Sequence, residues 1–199
     1  MPPHSISASL PDWTVDELAR LPKFLLTREE RMAAVIRFSR LNIEHGTGGP
    51  FAAGVFERDS GRVIVVGVNR VMDSGLSSAH AEIMTLSIAQ KILGAWDLGG
   101  PGMPAYEFVV NWRPCAMCFG ATLWSGVRSL VIAGSGPELE AITGFDEGPV
   151  TPAWEAELLR RGITVTNNVL REEAMAVFRQ FRDSRQFVYN ARQGIERKE

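Results

Sequence analysis

The apolar positions of the chain repeat at two spacings, helical in some stretches and alternating in others. From Thr27 onward, Met32, Val35, Ile36 and Leu41 recur at helical intervals. Thr27 stands three residues ahead of Glu30, the spacing of a capping box. The predicted helix ends near Gly46, where Gly46-Thr47-Gly48-Gly49-Pro50 interrupts the pattern. Two β-type runs follow, Phe51 to Phe56 and Val63 to Val68, and the Asp59-Ser60-Gly61 between them marks a hairpin. A second helix is predicted from about Ala79 to Leu93, capped by Ser77 or Ser78. It carries Ile83, Met84, Leu86, Ile88, Ile92 and Leu93 on more than one side, which predicts burial.

A strand near Glu107 to Asn111 leads to Pro114, where a third helix begins and runs to Ser125-Gly126. Val127 to Ala133 reads as a buried strand, and Gly134 to Pro152 as a loop. A helix near Ala153 to Arg161, a short strand at Ile163 to Thr166 and a helix from about Arg171 to Arg185 complete the series. Residues 1–27, rich in Pro, Ser and Asp around Trp13, read as a leader rather than core, leaving residues 28–199 as the domain. Strands alternating with helices predict a layered α/β domain.

Composition narrows the class. A chain of 199 residues with 45% hydrophobic positions suffices for one compact domain. No apolar run is long enough for a bilayer, and Met1 to Leu10 lacks the basic start and apolar stretch of a secretory signal. A cytoplasmic protein is therefore expected. The net charge of −2 provides no broad attraction for nucleic acid and weighs against a polynucleotide substrate.

The only two cysteines, Cys115 and Cys118, form one C-x-x-C, too few for a disulfide scaffold. By itself that spacing suits a redox pair or half of a metal site. His80-Ala81-Glu82 decides between them, because with Pro114-Cys115-Ala116-Met117-Cys118 it forms the H-x-E…P-C-x-x-C pattern of zinc deaminases. Cys115 and Cys118 share one face of a helical turn, and His80 adds a third ligand, leaving one tetrahedral position open for water. Two thiolates balance the charge of Zn2+, one ion per chain. Glu82 is placed to carry protons rather than to ligate.

The sequence resembles the cytidine and deoxycytidylate deaminase superfamily, and its guanine deaminase branch in particular. The resemblance rests on Gly48-Gly49-Pro50-Phe51, Asn69, the two zinc motifs and Gly144-Phe145-Asp146-Glu147, and it covers about residues 28–192. It implies a three-layer α/β/α sandwich around a five-stranded mixed sheet, assembled as a homodimer or larger. It also implies zinc on His80, Cys115 and Cys118, Glu82 as proton shuttle, and Asn69 bound to the purine, with a turn residue after the strand as the alternative for Asn69. Phe51 matches a residue near the base pocket but also suits strand core, and the backbone at Ala81 is a further contact for the base. Within Asp146-Glu147, Glu147 is the first choice for a second catalytic carboxylate and Asp146 the second, for substrate binding; a solvated turn is the alternative. Phe187 to Arg192 is similar to tails that close over an active site, in some relatives the partner's, which marks Tyr189 as a substrate contact.

Arg113 departs from the Glu that many relatives carry before Pro-Cys-x-x-C. If it faces the pocket, preference is expected to move towards another aminated heterocycle, such as an aminotriazine. The leading expectation is hydrolysis of guanine to xanthine and ammonia. Alternatives keep the chemistry with transfer RNA adenosine, a nucleoside, cytosine or ammeline as substrate, or replace it with a non-catalytic, zinc-stabilised domain that binds a partner. A fourth protein ligand would favour the last.

Overall fold

The structure, a computed structural model, describes residues 4–193. In chain order its elements are α1 (Trp13–Arg20), α2 (Arg28–Glu44), β1 (Ala52–Glu57), β2 (Val63–Val68), α3 (Val71–Ser74) and α4 (Ala81–Leu93). There follow β3 (Tyr106–Val110), α5 (Ala116–Ser125), β4 (Ser129–Ile132), α6 (Glu138–Thr143), α7 (Trp154–Arg160), β5 (Thr164–Thr166) and α8 (Arg171–Ser184). The strands form one five-stranded sheet in the order β2-β1-β3-β4-β5. β1 is antiparallel to both neighbours, and β3, β4 and β5 run parallel, so the sheet is mixed.

Alternation along the strands builds two cores, one on each face. Val65, Val55, Phe108, Leu130 and Val165 stand in register across all five strands and face α4 and α5. The neighbouring row contributes Val66, Val109 and Val131 to the opposite core, where α2 and α8 pack. This is the expected α/β/α sandwich. The capping box forms as the sequence predicts, with Glu30 N–H donating to Thr27 Oγ1 and the Glu30 carboxylate accepting from Thr27 N–H. Gly126, with φ 83°, ends α5 in the left-handed conformation that glycine adopts without a Cβ clash.

Several expectations are corrected. The leader contains α1, whose Thr14 and Glu17 are buried, and the helix lies against the edge strand β2. Polar composition concealed it because much of its surface faces solvent. Neither Ser77 nor Ser78 caps α4; His80 occupies that position without a capping hydrogen bond. Pro114 precedes the N-cap Cys115 of α5 rather than opening the helix. The segment from Gly134 to Pro152 is not all loop, since it holds α6. Ile92 on α4 is exposed, so that helix is buried on one side only.

The end of the sheet where β3 begins is fastened by a buried ion pair. Arg31 Nη1 lies 2.6 Å from Glu107 Oε1, and Arg28 Nε 3.2 Å from Oε2. Ser129 Oγ donates to Oε2 at 2.8 Å, while Arg31 also donates to the carbonyls of Leu25, Leu26 and Arg58. Such pairs add little net stability over an apolar isostere, but removing one partner strands a buried charge. Glu107→Ala is therefore expected to lower unfolding free energy by about 3–5 kcal/mol. Urea denaturation monitored by circular dichroism checks this, and a loss below about 1 kcal/mol would show that Arg31 finds another counter-charge.

Candidate active site

The opposite end of the sheet gathers the chemistry. Registers place Val68 of β2, Ala52 at the start of β1, Val110 of β3 and Ile132 of β4 on one edge. Just beyond it, α4 and α5 present their N-termini. His80 and Cys115 are the two N-caps, and neither makes a side-chain capping hydrogen bond. Their polar atoms turn instead towards each other, and Cys118 joins them from the first turn of α5. His80 Nδ1 lies 3.6 Å from Cys115 Sγ and 3.7 Å from Cys118 Sγ, and all three ligand atoms fall within 4.8 Å of one another.

This triangle suits zinc. Tetrahedral coordination with Zn–S of about 2.3 Å and Zn–N of about 2.0–2.1 Å requires N···S edges of roughly 3.6 Å. Both cysteines are free, and among the described residues the cluster has three members. Three ligands leave a coordination position for a reactant, as catalytic zinc sites do.

A cavity of about 410 Å³ opens beside the ligands. Glu82, Glu147, Phe51, Phe145, Tyr189 and Arg113 are among the residues on its wall. The Phe51 and Phe145 rings meet edge-on at 5.1 Å, and Phe145 contacts Tyr189 at 4.8 Å. Asp146 is exposed, and its Oδ1 accepts from Gly148 N–H at 2.8 Å, shaping the turn that aims Glu147 inward. Glu147 is further held by its backbone, whose carbonyl accepts from Ala116 N–H at 3.0 Å. Asn69 and Ala81 are buried; Ala81 lies between the wall residues His80 and Glu82, and Asn69 lies two residues before Val71, but neither is itself on the wall.

The tail closes this chain's own cavity. Asn190 clasps the loop before Glu147, donating to the Gly144 carbonyl at 2.9 Å and accepting from Asp146 N–H at 3.0 Å. A Cβ at Gly49 would stand 2.7 Å from Tyr189 Oη, so the ring seats only over glycine. Asn190 was missed in the sequence because an amide in a polar tail carries no periodic or spacing signal. Arg113 does face the cavity, and its buried Nε has no hydrogen-bond partner among the described residues.

Electrostatics are polarised around the ligands. The hydrogen bond from Cys118, outweighing burial, brings the Cys115 thiol down to about 4. The same shared bond, with burial, pushes the Cys118 thiol well above its ordinary value. Burial opposes charge on His80, but its bond to Cys115 and the nearby Glu82 carboxylate raise it overall. Burial, then the negative charge of Cys115, lifts Glu82 to about 7. Glu147 rises to about 8 through burial and the charges of Cys115 and Glu82. Two carboxyls poised near neutrality in one enclosure are matched to proton transfer. A dication among the ligands supplies the counter-charge that the thiolates need.

Residues 27–134 match the cytidine and deoxycytidylate deaminase zinc-binding region. The chain belongs to the cytidine and deoxycytidylate deaminase family. It is a zinc-dependent hydrolytic deaminase. Among curated relatives, the guanine deaminase of Bacillus subtilis is 31% identical over 132 residues, covering 64% of this chain and 80% of that protein. Among solved structures, the guanine deaminase of Nitrosomonas europaea is 46% identical with a TM-score of 0.85, covering 92% of this deaminase and 99% of that chain. A protein solved with 8-azaguanine is 47% identical with a TM-score of 0.85, covering 90% and 98% respectively.

Because zinc displaces the proton held by Cys118, and one from His80 when that is charged, affinity should rise with pH. Competition against a chromophoric chelator between about pH 6 and about pH 8 measures this. Affinity independent of pH would contradict ligation by both thiolates.

Proposed function

We propose that this deaminase converts guanine and water to xanthine and ammonia. The observation that carries the reading is the buried Glu82 and the half-buried Glu147 lining one cavity beside the metal triad. Deamination at a purine amine moves several protons, and two carriers divide that traffic. The guanine deaminase relatives and the relative solved with 8-azaguanine support the same substrate class.

His80, Cys115 and Cys118 hold the zinc, which when bound supplies a Lewis acid and lowers the pKa of water at the site. Glu82 accepts a proton from the attacking water and delivers protons to the ring nitrogen and the departing amine. Glu147, raised by burial above its ordinary value, serves as the second donor. Asn69 binds the purine edge, the Ala81 backbone adds a contact, and Phe51 and Tyr189 enclose the ring. Asp146, also on the cavity wall, is the second candidate for binding the substrate and shapes the turn that positions Glu147. The Asn190 clasp keeps the tail down and water out during the reaction.

The reading carries with it a cytoplasmic homodimer. The exposed apolar face of α4 and α5, with Ile92 and Trp124 prominent, supports pairing there. A tail that covers its own site makes exchange between subunits unnecessary. One observation favours a second substrate: the unpartnered Arg113 on the cavity wall suits an acceptor-rich aminotriazine such as ammeline.

Ammonia release from guanine, guanosine, adenine, cytosine, ammeline and transfer RNA tests the reading. Guanine should be fastest, and Glu82→Gln should lower the rate by about 10²–10⁴-fold while retaining zinc. Activity confined to ammeline would transfer the substrate assignment to Arg113's preference. Silence on every compound with zinc bound would favour the partner-binding domain.

A further inference from the structure

Residues near the start of the chain reach the base-binding edge through a continuous series of hydrogen bonds. Trp13 Nε1 donates to Thr47 Oγ1 at 3.1 Å. An indole N–H is only a donor, so it occupies an acceptor site on that hydroxyl and leaves the hydroxyl proton to point onward. Thr47 Oγ1 lies 2.7 Å from Asn42 Oδ1, where that proton goes. With its oxygen so engaged, the Asn42 amide must present its NH2 on the other side. There Nδ2 donates to the carbonyls of Gly49 at 2.9 Å and Asn69 at 3.1 Å. The bond directions are fixed from both ends, by the indole N–H at Trp13 and by the two carbonyls at Asn42, where a flipped amide would put oxygen against both.

A second line runs in parallel. Arg70, buried and adjacent to Asn69, donates from Nε to the Ser9 carbonyl at 3.0 Å and from Nη1 to the Thr47 carbonyl at 2.8 Å, and it pairs with Asp73. Space allows little slack, because a Cβ on Gly48 would stand 2.2 Å from the Asn69 carbonyl oxygen. Asn69 N–H in turn donates to the Phe51 carbonyl at 3.1 Å. Trp13 itself is held flat against His45, with centroids 5.2 Å apart and planes 12° apart, and leans on Phe38.

We infer that Ser9 to Trp13 form a strap that fixes the base-binding edge, and that Trp13 is a positioning residue for Asn69 acting through Thr47 and Asn42. The strap does not touch the reacting atoms, so it acts on how well the purine edge is met rather than on proton transfer. The kinetic part rests on the proposed binding role of Asn69; the mechanical part, order at residues 69–71, does not.

Trp13→Phe deletes the indole N–H and keeps an aromatic ring, but it also takes the five-membered ring out of the stack on His45, so Thr47→Val supplies the cut that leaves Trp13 in place. With zinc content unchanged, it should raise KM for guanine about tenfold while kcat stays within about twofold. Thr47→Val, which breaks the same line, should do likewise, and Thr47→Ser should restore the native KM. In an Asn69→Ala background, Trp13→Phe should add nothing further. Hydrogen exchange in the peptide spanning Asn69 to Val71 should quicken in Trp13→Phe whatever Asn69 binds. Unchanged exchange there, or KM effects of Trp13 and Asn69 that multiply independently, would overturn the strap. If Asn69→Ala leaves KM unaltered while exchange still quickens in Trp13→Phe, the strap stands and the base-binding role of Asn69 falls.

Discussion

Everything at the active edge depends on bringing two thiolates and an imidazole to within a zinc ion's reach without help from neighbouring sequence. Cys115 and His80 are 35 residues apart, yet Sγ and Nδ1 meet at 3.6 Å. The sheet achieves this by ending β2 and β3 on the same edge and sending each chain into a helix whose N-terminus faces the other. Using the ligands as N-caps has a cost, because the usual capping hydrogen bonds are given up. It also has an electrostatic benefit. Unpaired helix N–H groups and a dication both favour the negative charge that the thiolates and Glu82 bring to a buried place.

That concentration of negative charge explains the behaviour of the carboxyls. Without the dication, burial and the neighbouring thiolate both raise Glu82 and Glu147 above exposed glutamates, and bound zinc draws both back towards ionisation. Tyr189 and the Asn190 clasp cover one side of the cavity and lower the dielectric of the surroundings on which those shifts depend. The tail and the proton carriers are therefore parts of one device, and the N-terminal strap serves the other side of the same cavity.

What was legible in the sequence was local. The capping box at Thr27, the alternation of β1 and β2, and the spacing of Cys115 with Cys118 are each contained within a few residues, and the structure forms all three. The family resemblance joined the two zinc motifs into one site before any fold was in hand. The misses are long-range or tertiary. Arg31 and Glu107 pair across 76 residues, Asn190 reaches Gly144 across 46, and Trp13 reaches Thr47 across 34. Periodicity says nothing about such pairs. Helix α1 was overlooked although its residues are strongly amphipathic: it is only eight residues long, is set in a polar leader, and packs on the distant β2. Arg113 was recognised as unusual, but only the fold shows that it faces the cavity.

The central claim is a three-ligand zinc site with an open position, and anomalous diffraction at the zinc edge from crystals of the zinc-loaded protein tests it most directly. The account predicts one strong peak about 2.3 Å from both sulfurs and about 2.0–2.1 Å from His80 Nδ1, with no protein atom in the fourth position. A fourth protein ligand, or a peak away from these three residues, would contradict it.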